Sequence, residues 1–131
     1  MDRKRPSKSF RDVLVWQKSR AWVVPVYRYT LAFPKHERYG LAAQLRDAAV
    51  SVPNKFAEGF KRRTINDKAR SYNIAQSSLE ESRCLLVLSG DLGYGNPARL
   101  LENAEEIARM LEGYVASMVR RAGRACKDFC V

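Results

Sequence analysis

Six apolar residues near the end of the chain repeat with a period that allows few folds. Leu100, Ala104, Ile107, Leu111, Tyr114 and Met118 are spaced 4, 3, 4, 3 and 4 residues apart. That is a heptad seam: one face of a long helix, built to pack at a shallow angle against another helix. A second row, Leu101, Ala108, Val115 and Ala122, runs beside it, so the helix has a broad stripe to cover. Asn96-Pro97 supplies a start signal, a capping side chain followed by proline in the first turn, and the helix is expected to fray after Gly123.

Three earlier segments have the same period. Ser9-Phe10-Arg11-Asp12 has capping-box spacing and is expected to open a first helix. Its apolar face reads Val13, Trp16, Arg20, Val23, Tyr27 and Leu31, widened by Val24 and Val26 and bent at Pro25. Val23-Val24 alone would also suit a strand, but the surrounding period is helical. Phe33 to Glu37 closes this helix. The second is predicted from about Tyr39 to Phe60, with Leu41, Leu45, Ala48, Val52 and Phe56 as its seam. Pro53 either kinks it or splits it, with Ser51 placed to cap a restarted segment. Thr64 to Asp67 caps a third helix that continues to about Ser89, with Ile65, Ala69, Tyr72, Leu79 and Leu86 on one face. The connections are short, so successive helices are antiparallel, and the predicted fold is an all-α, up-down-up-down four-helix bundle. Residues 1–8 read as a flexible basic arm, 9–125 as the bundle and 126–131 as a C-terminal tail.

Aligning the helices through their turns sets opposing pairs: Trp16 on Phe56, Tyr27 on Leu45, Arg46 near Glu81 and Glu58 near Arg70. Arg46 and Glu81 lie beside the seams, so a partly shielded ion pair is expected there, in which removing one partner strands a charge.

The chemistry is sparse. His36 is the one histidine, placed in a turn between Lys35 and Glu37. No Glu-x-x-His occurs, so the carboxylate-bridged metal sites of helical bundles have no ligand set. Glu80-Glu81 and Glu105-Glu106 are adjacent on their helices and diverge. Gly90 to Gly95 is glycine-rich but lacks the phosphate-loop lysine. Cys84, Cys126 and Cys130 form neither a zinc nor a disulfide framework. The sequence predicts no enzyme, no cofactor and no metal. No run reaches the ~18 apolar residues of a membrane span, and no apolar core follows the charged N-terminus as in a signal peptide. A cytoplasmic, non-membrane protein is expected.

Charge is the stronger lead. The chain carries +10, and a field of that sign favours polyanions. Lys61, Arg62, Arg63, Lys68 and Arg70 surround one predicted turn. An up-down bundle brings Arg3, Lys4 and Arg5 of the arm, and Arg120, Arg121 and Arg124 of the last helix, to the same end. Such a patch can contact several phosphates, without a base-reading motif, and so electrostatically.

Spaced motifs add a resemblance. Phe10-Arg11-Asp12 precedes Val15-Trp16-Gln17-Lys18; Phe33-Pro34 leads to Glu37-Arg38-Tyr39-Gly40-Leu41; Gln44-Leu45-Arg46-Asp47-Ala48-Ala49 follows. Ser51-Val52-Pro53-Asn54 with Ala57-Glu58-Gly59 is the most specific part, completed by Ser78-Leu79, Glu81 and Leu92-Gly93-Tyr94. In these the chain resembles the four-helix bundle proteins encoded within intervening sequences of bacterial large-subunit ribosomal RNA genes. Trp16, Arg46, Pro53, Phe56, Glu58, Gly59 and Glu81 are accordingly expected to be structural. Pro25, Lys55-Phe56 and the basic C-terminal tail depart from the family pattern. The resemblance implies a ring-like homopentamer and kinship with accessory proteins of diversity-generating retroelements, basic pentamers that bind a reverse transcriptase and nucleic acid. The resulting expectation is a homo-oligomer that contacts RNA or DNA through a basic pole; the alternative is an oligomeric scaffold for a protein partner.

Overall fold

Ser9 forms the capping box its spacing predicts: its hydroxyl accepts from the Arg11 N–H, and the Asp12 carboxylate accepts from the Ser9 N–H at 3.2 Å. What it caps is a single 3-10 turn, Phe10–Asp12, after which Val13 is extended and the first α-helix begins. The computed structural model describes residues 7–129, without the side chains of 125–129. It contains α1 (Leu14–Thr30), α2 (Leu41–Lys61), α3 (Ile65–Asp91) and α4 (Ala98–Phe129), with a second 3-10 turn at Lys35–Glu37. Each helix packs on its neighbours in sequence, and α4 closes the ring against α1. The Trp22 indole N–H donates to the Leu100 carbonyl at 3.1 Å while Lys18 reaches Glu106, so α4 descends as α1 rises. Ser51–Ser78 and Phe56–Tyr72 contacts run α2 and α3 antiparallel in the same way. The bundle is all-α and up-down-up-down.

The predicted seams of α2 and α4 are the buried ones: Leu45, Ala48, Val52 and Phe56 on one, Leu100, Ala104, Ile107, Leu111 and Met118 on the other. Pro53 lies buried within a continuous α2 and does not split it. Ser51 caps nothing; its hydroxyl meets that of Ser78 on α3 at 2.8 Å. α4 does not stop at Gly123 but continues to Phe129.

The first helix is turned differently from the expectation. Its buried stripe is Val15, Ser19, Trp22, Val26 and Thr30, one step round from the predicted face. Ser19 and Thr30 can be buried because each hydroxyl donates to a carbonyl three residues back, Trp16 and Tyr27. Val24, Tyr27 and Leu31, expected inside, lie exposed. The opposing pairs change accordingly. Trp16 packs edge-on against Phe10, not Phe56, at 4.8 Å. Arg46 donates through Nε to Thr30 Oγ1 at 2.7 Å and lies over the Tyr27 ring at 5.0 Å, while Glu81 is exposed; the Arg46–Glu81 ion pair does not form. Glu58 pairs with Lys55 on its own helix at 2.9 Å, not with Arg70.

Candidate nucleic-acid interface

Where α2 meets α3, two hydrogen-bond arrangements, one of backbone groups and one through a side chain, fix the geometry. The Arg62 N–H donates to the carbonyls of Glu58 and Gly59, ending α2, and Arg62 is extended. Thr64 then caps α3, its hydroxyl accepting from the Asp67 N–H at 3.1 Å. Lys61, Arg62 and Arg63 project exposed from this tight reversal. Lys68 does not. Its ammonium donates to the Gly59 and Phe60 carbonyls at 3.2 and 2.6 Å and lies over the Phe60 ring. Partial burial holds its pKa below the ordinary lysine range. Lys68 was placed by sequence among the polyanion contacts; the structure uses it to satisfy the last carbonyls of α2.

The position of α4 relative to this turn is set by three rings. Phe56 stacks on Tyr72 at 4.9 Å, and Tyr114 meets both edge-on at 5.1 and 5.6 Å. Counting from that level at ~1.5 Å per residue, Lys61 lies about 8 Å beyond Phe56, and Ile65 and Arg121 each about 10 Å beyond Tyr72 and Tyr114. Arg120 and Arg121, both exposed, therefore stand level with Lys61–Arg63. Arg124, also exposed, lies about 15 Å beyond Tyr114, farther out at the same end, and Arg70 is exposed on the second turn of α3. The carboxylates at this end include Asp12, which caps its own turn, Glu58, already paired, and Asp67. Glu58 and Asp67 with Lys61, Arg62, Arg63 and Thr64 line a shallow groove at the turn. Arg3, Lys4 and Arg5 lie outside the described residues.

Close packing supports this end. Gly59 is buried, and a Cβ there would meet Tyr72 ring carbons at 2.6 and 2.8 Å. The opposite end has a lock that sequence reading missed. A Schellman ending of α3, with Gly93 at φ 78° and the Tyr94 N–H on the Ser89 carbonyl, turns Tyr94 back over the bundle. Its hydroxyl donates to Glu37 at 2.8 Å, and its ring packs on Phe33 at 5.2 Å. Glu37 also accepts from the Leu41 N–H at the start of α2. Two turns far apart in sequence are joined, and neither contains a spacing signal for the other. Trp22, the α1–α4 anchor, was likewise missed because its stripe contains Ser19 and Thr30.

No helix among the described residues is long and apolar enough to cross a membrane. The described residues also contain no group of three or more His, Cys, Asp or Glu placed to share a metal ion.

Fold and surface define an all-α antiparallel bundle with exposed cations gathered where α2 meets α3. A family model described as 23S rRNA-intervening sequence protein matches residues 11–113. The chain belongs to that family. The match contains Lys61–Arg63 and ends before Arg120, Arg121 and Arg124. No curated protein matches the chain.

Proposed function

We propose that this protein is a non-enzymatic, homo-oligomeric helical bundle that contacts RNA or DNA electrostatically through the end bearing Lys61, Arg62, Arg63, Arg120, Arg121 and Arg124. The observation that carries the reading is the ring triad of Phe56, Tyr72 and Tyr114, whose register brings two clusters distant in sequence to one end. Six exposed cations at one end suit a phosphate backbone, and among the described residues no exposed aromatic stripe accompanies them to read bases. We assign the assembly as a pentamer acting in the cytoplasm, with a reverse transcriptase or other protein as a further partner.

Titration of a labelled single-stranded RNA and a labelled DNA duplex across a salt series tests it. The logarithm of affinity should fall linearly with that of salt, by about 0.7 per contacted phosphate on single strands and about 0.9 on the duplex. Salt-independent binding, or none at low salt, overturns it. A second reading, a scaffold for a protein partner without nucleic acid, is favoured by one feature: Val24, Tyr27 and Leu31 expose apolar surface far from the basic end.

A further inference from the structure

Part of the outward side of α1 is apolar, although its core face already carries Val15, Trp22 and Val26. Serine and threonine occupy buried positions while Val24 is 50%, Tyr27 40% and Leu31 75% exposed. These three, with Val23, line a groove along α1 and α2 whose charged members are Arg28 and Arg46. No carboxylate lines it, and neither arginine makes an ion pair among the described residues.

α3 buries Tyr72, Leu79, Leu85 and Leu86 on its core face yet also leaves apolar surface outside. Ser71, Ser82 and Ser89 are buried while Val87 is 48% exposed. Val87 and the partly buried Leu101 line a groove between α3 and α4, bordered by Glu80, Glu102 and Glu105 against a single guanidinium, Arg83. Glu80 pairs with Arg83 and Glu105 with Arg109, and Glu102 makes no ion pair among the described residues. Because the helices follow one another round the bundle, the α1–α2 and α3–α4 grooves lie on opposite sides.

We infer that a second copy of this chain seats the outward face of α1 in the α3–α4 groove, apolar surface on apolar surface, with Arg28 and Arg46 toward Glu80, Glu102 and Glu105. The two surfaces differ, so the contact is head-to-tail: each copy offers one face and receives on the other, and repetition closes a ring or extends a filament. A monomer that left both apolar grooves open would carry the patches that mark association sites, and opposite charge at their rims fixes which face meets which. This assignment rests on the reading that the chain self-assembles, and it names the surfaces that do so.

Val24→Glu and Val87→Glu, each at a half-exposed position, test it by light scattering after size exclusion, with circular dichroism to verify the helical fold. The wild-type chain should be oligomeric, and each variant alone should have the mass of one folded chain. Mixed in equal amounts, the two should form a one-to-one dimer and nothing larger, because each retains one intact face. A monomeric wild type overturns self-assembly itself. An oligomeric wild type whose variants keep the same mass overturns only these surfaces. Loss of assembly in Val24→Glu but not in Val87→Glu contradicts the head-to-tail contact and indicates α1 meeting α1.

Discussion

Gly59 shows how closely α2 and α3 approach. Its missing Cβ is where the Tyr72 ring lies, and the ring cannot retreat because Phe56 stacks on it and Tyr114 meets its edge. Gly59→Ala should therefore destabilise the bundle by about 1–3 kcal/mol, the usual cost of overpacking, despite alanine's better helix propensity. Gly113→Ala, where an added Cβ meets nothing within 4 Å, should stabilise by up to ~1 kcal/mol. Thermal melts of the two variants check the contrast, and equal shifts would contradict it. Tyr72 itself carries a pH signature. Burial, and then the Tyr114 hydroxyl, raise its pKa well above the ordinary value. An unfolded tyrosine ionises near 10, so the folded state holds the proton longer, and stability present below pH ~10 should be lost as pH rises beyond it. Urea midpoints between pH 9 and 11 should fall more steeply for the wild type than for Tyr72→Phe.

At the scale of helices and turns, Lys68 and Arg121 test the division between structure and the proposed binding. Lys68→Ala leaves two α2 carbonyls without their ammonium and should cost about 1–3 kcal/mol. Arg121→Ala should leave the melting temperature unchanged and make the salt slope of nucleic-acid binding shallower by about 1. A melting loss in the arginine variant alone would reverse these assignments. At the other end, the Tyr94 hydroxyl, then the Leu41 N–H, hold the Glu37 pKa below the ordinary carboxylate value. A lowered pKa means that this lock stabilises the fold above pH ~4 and is lost as pH falls through the folded value; Tyr94→Phe should weaken the acid-side dependence of the unfolding midpoint. How much of these elements sequence makes legible depends on how their buried faces are built. α2 and α4 bury nearly continuous apolar rows, with only Leu41 and Tyr114 partly exposed, and their seams could be read directly. α1 and α3 also bury hydroxyls that bond to their own helices and leave some valine, leucine and isoleucine outward. Hydrophobic periodicity therefore placed Val13 and Val26 of the first segment correctly but set the rest of the α1 stripe one step round. The place of Lys68 was hidden for a related reason: in sequence it is one cation among five, and only the turn geometry shows that its ammonium meets the Gly59 and Phe60 carbonyls.

The whole molecule is a bundle with apolar patches on its sides and exposed cations where α2 meets α3. The α2–α3 reversal, the cap at Thr64 and the heptad of α4 were visible in the sequence, and together they sufficed to bring Lys61–Arg63 and Arg120–Arg124 to one end. The two outward apolar faces were not visible as such, because they are defined by what the core leaves uncovered. The central claim is that position, and not net charge alone, makes the Lys61–Arg63 end the polyanion contact. Two triple variants separate the possibilities, each lowering the charge of +10 by three. One is Arg62→Gln, Arg63→Gln, Arg121→Gln at the basic end. The other is Lys35→Gln, Arg38→Gln, Arg99→Gln at the opposite end. Salt slopes of binding to one labelled RNA, measured side by side, should be shallower by about 2–3 for the first and unchanged for the second. Equal loss in both would contradict a localised pole and leave only a diffuse field.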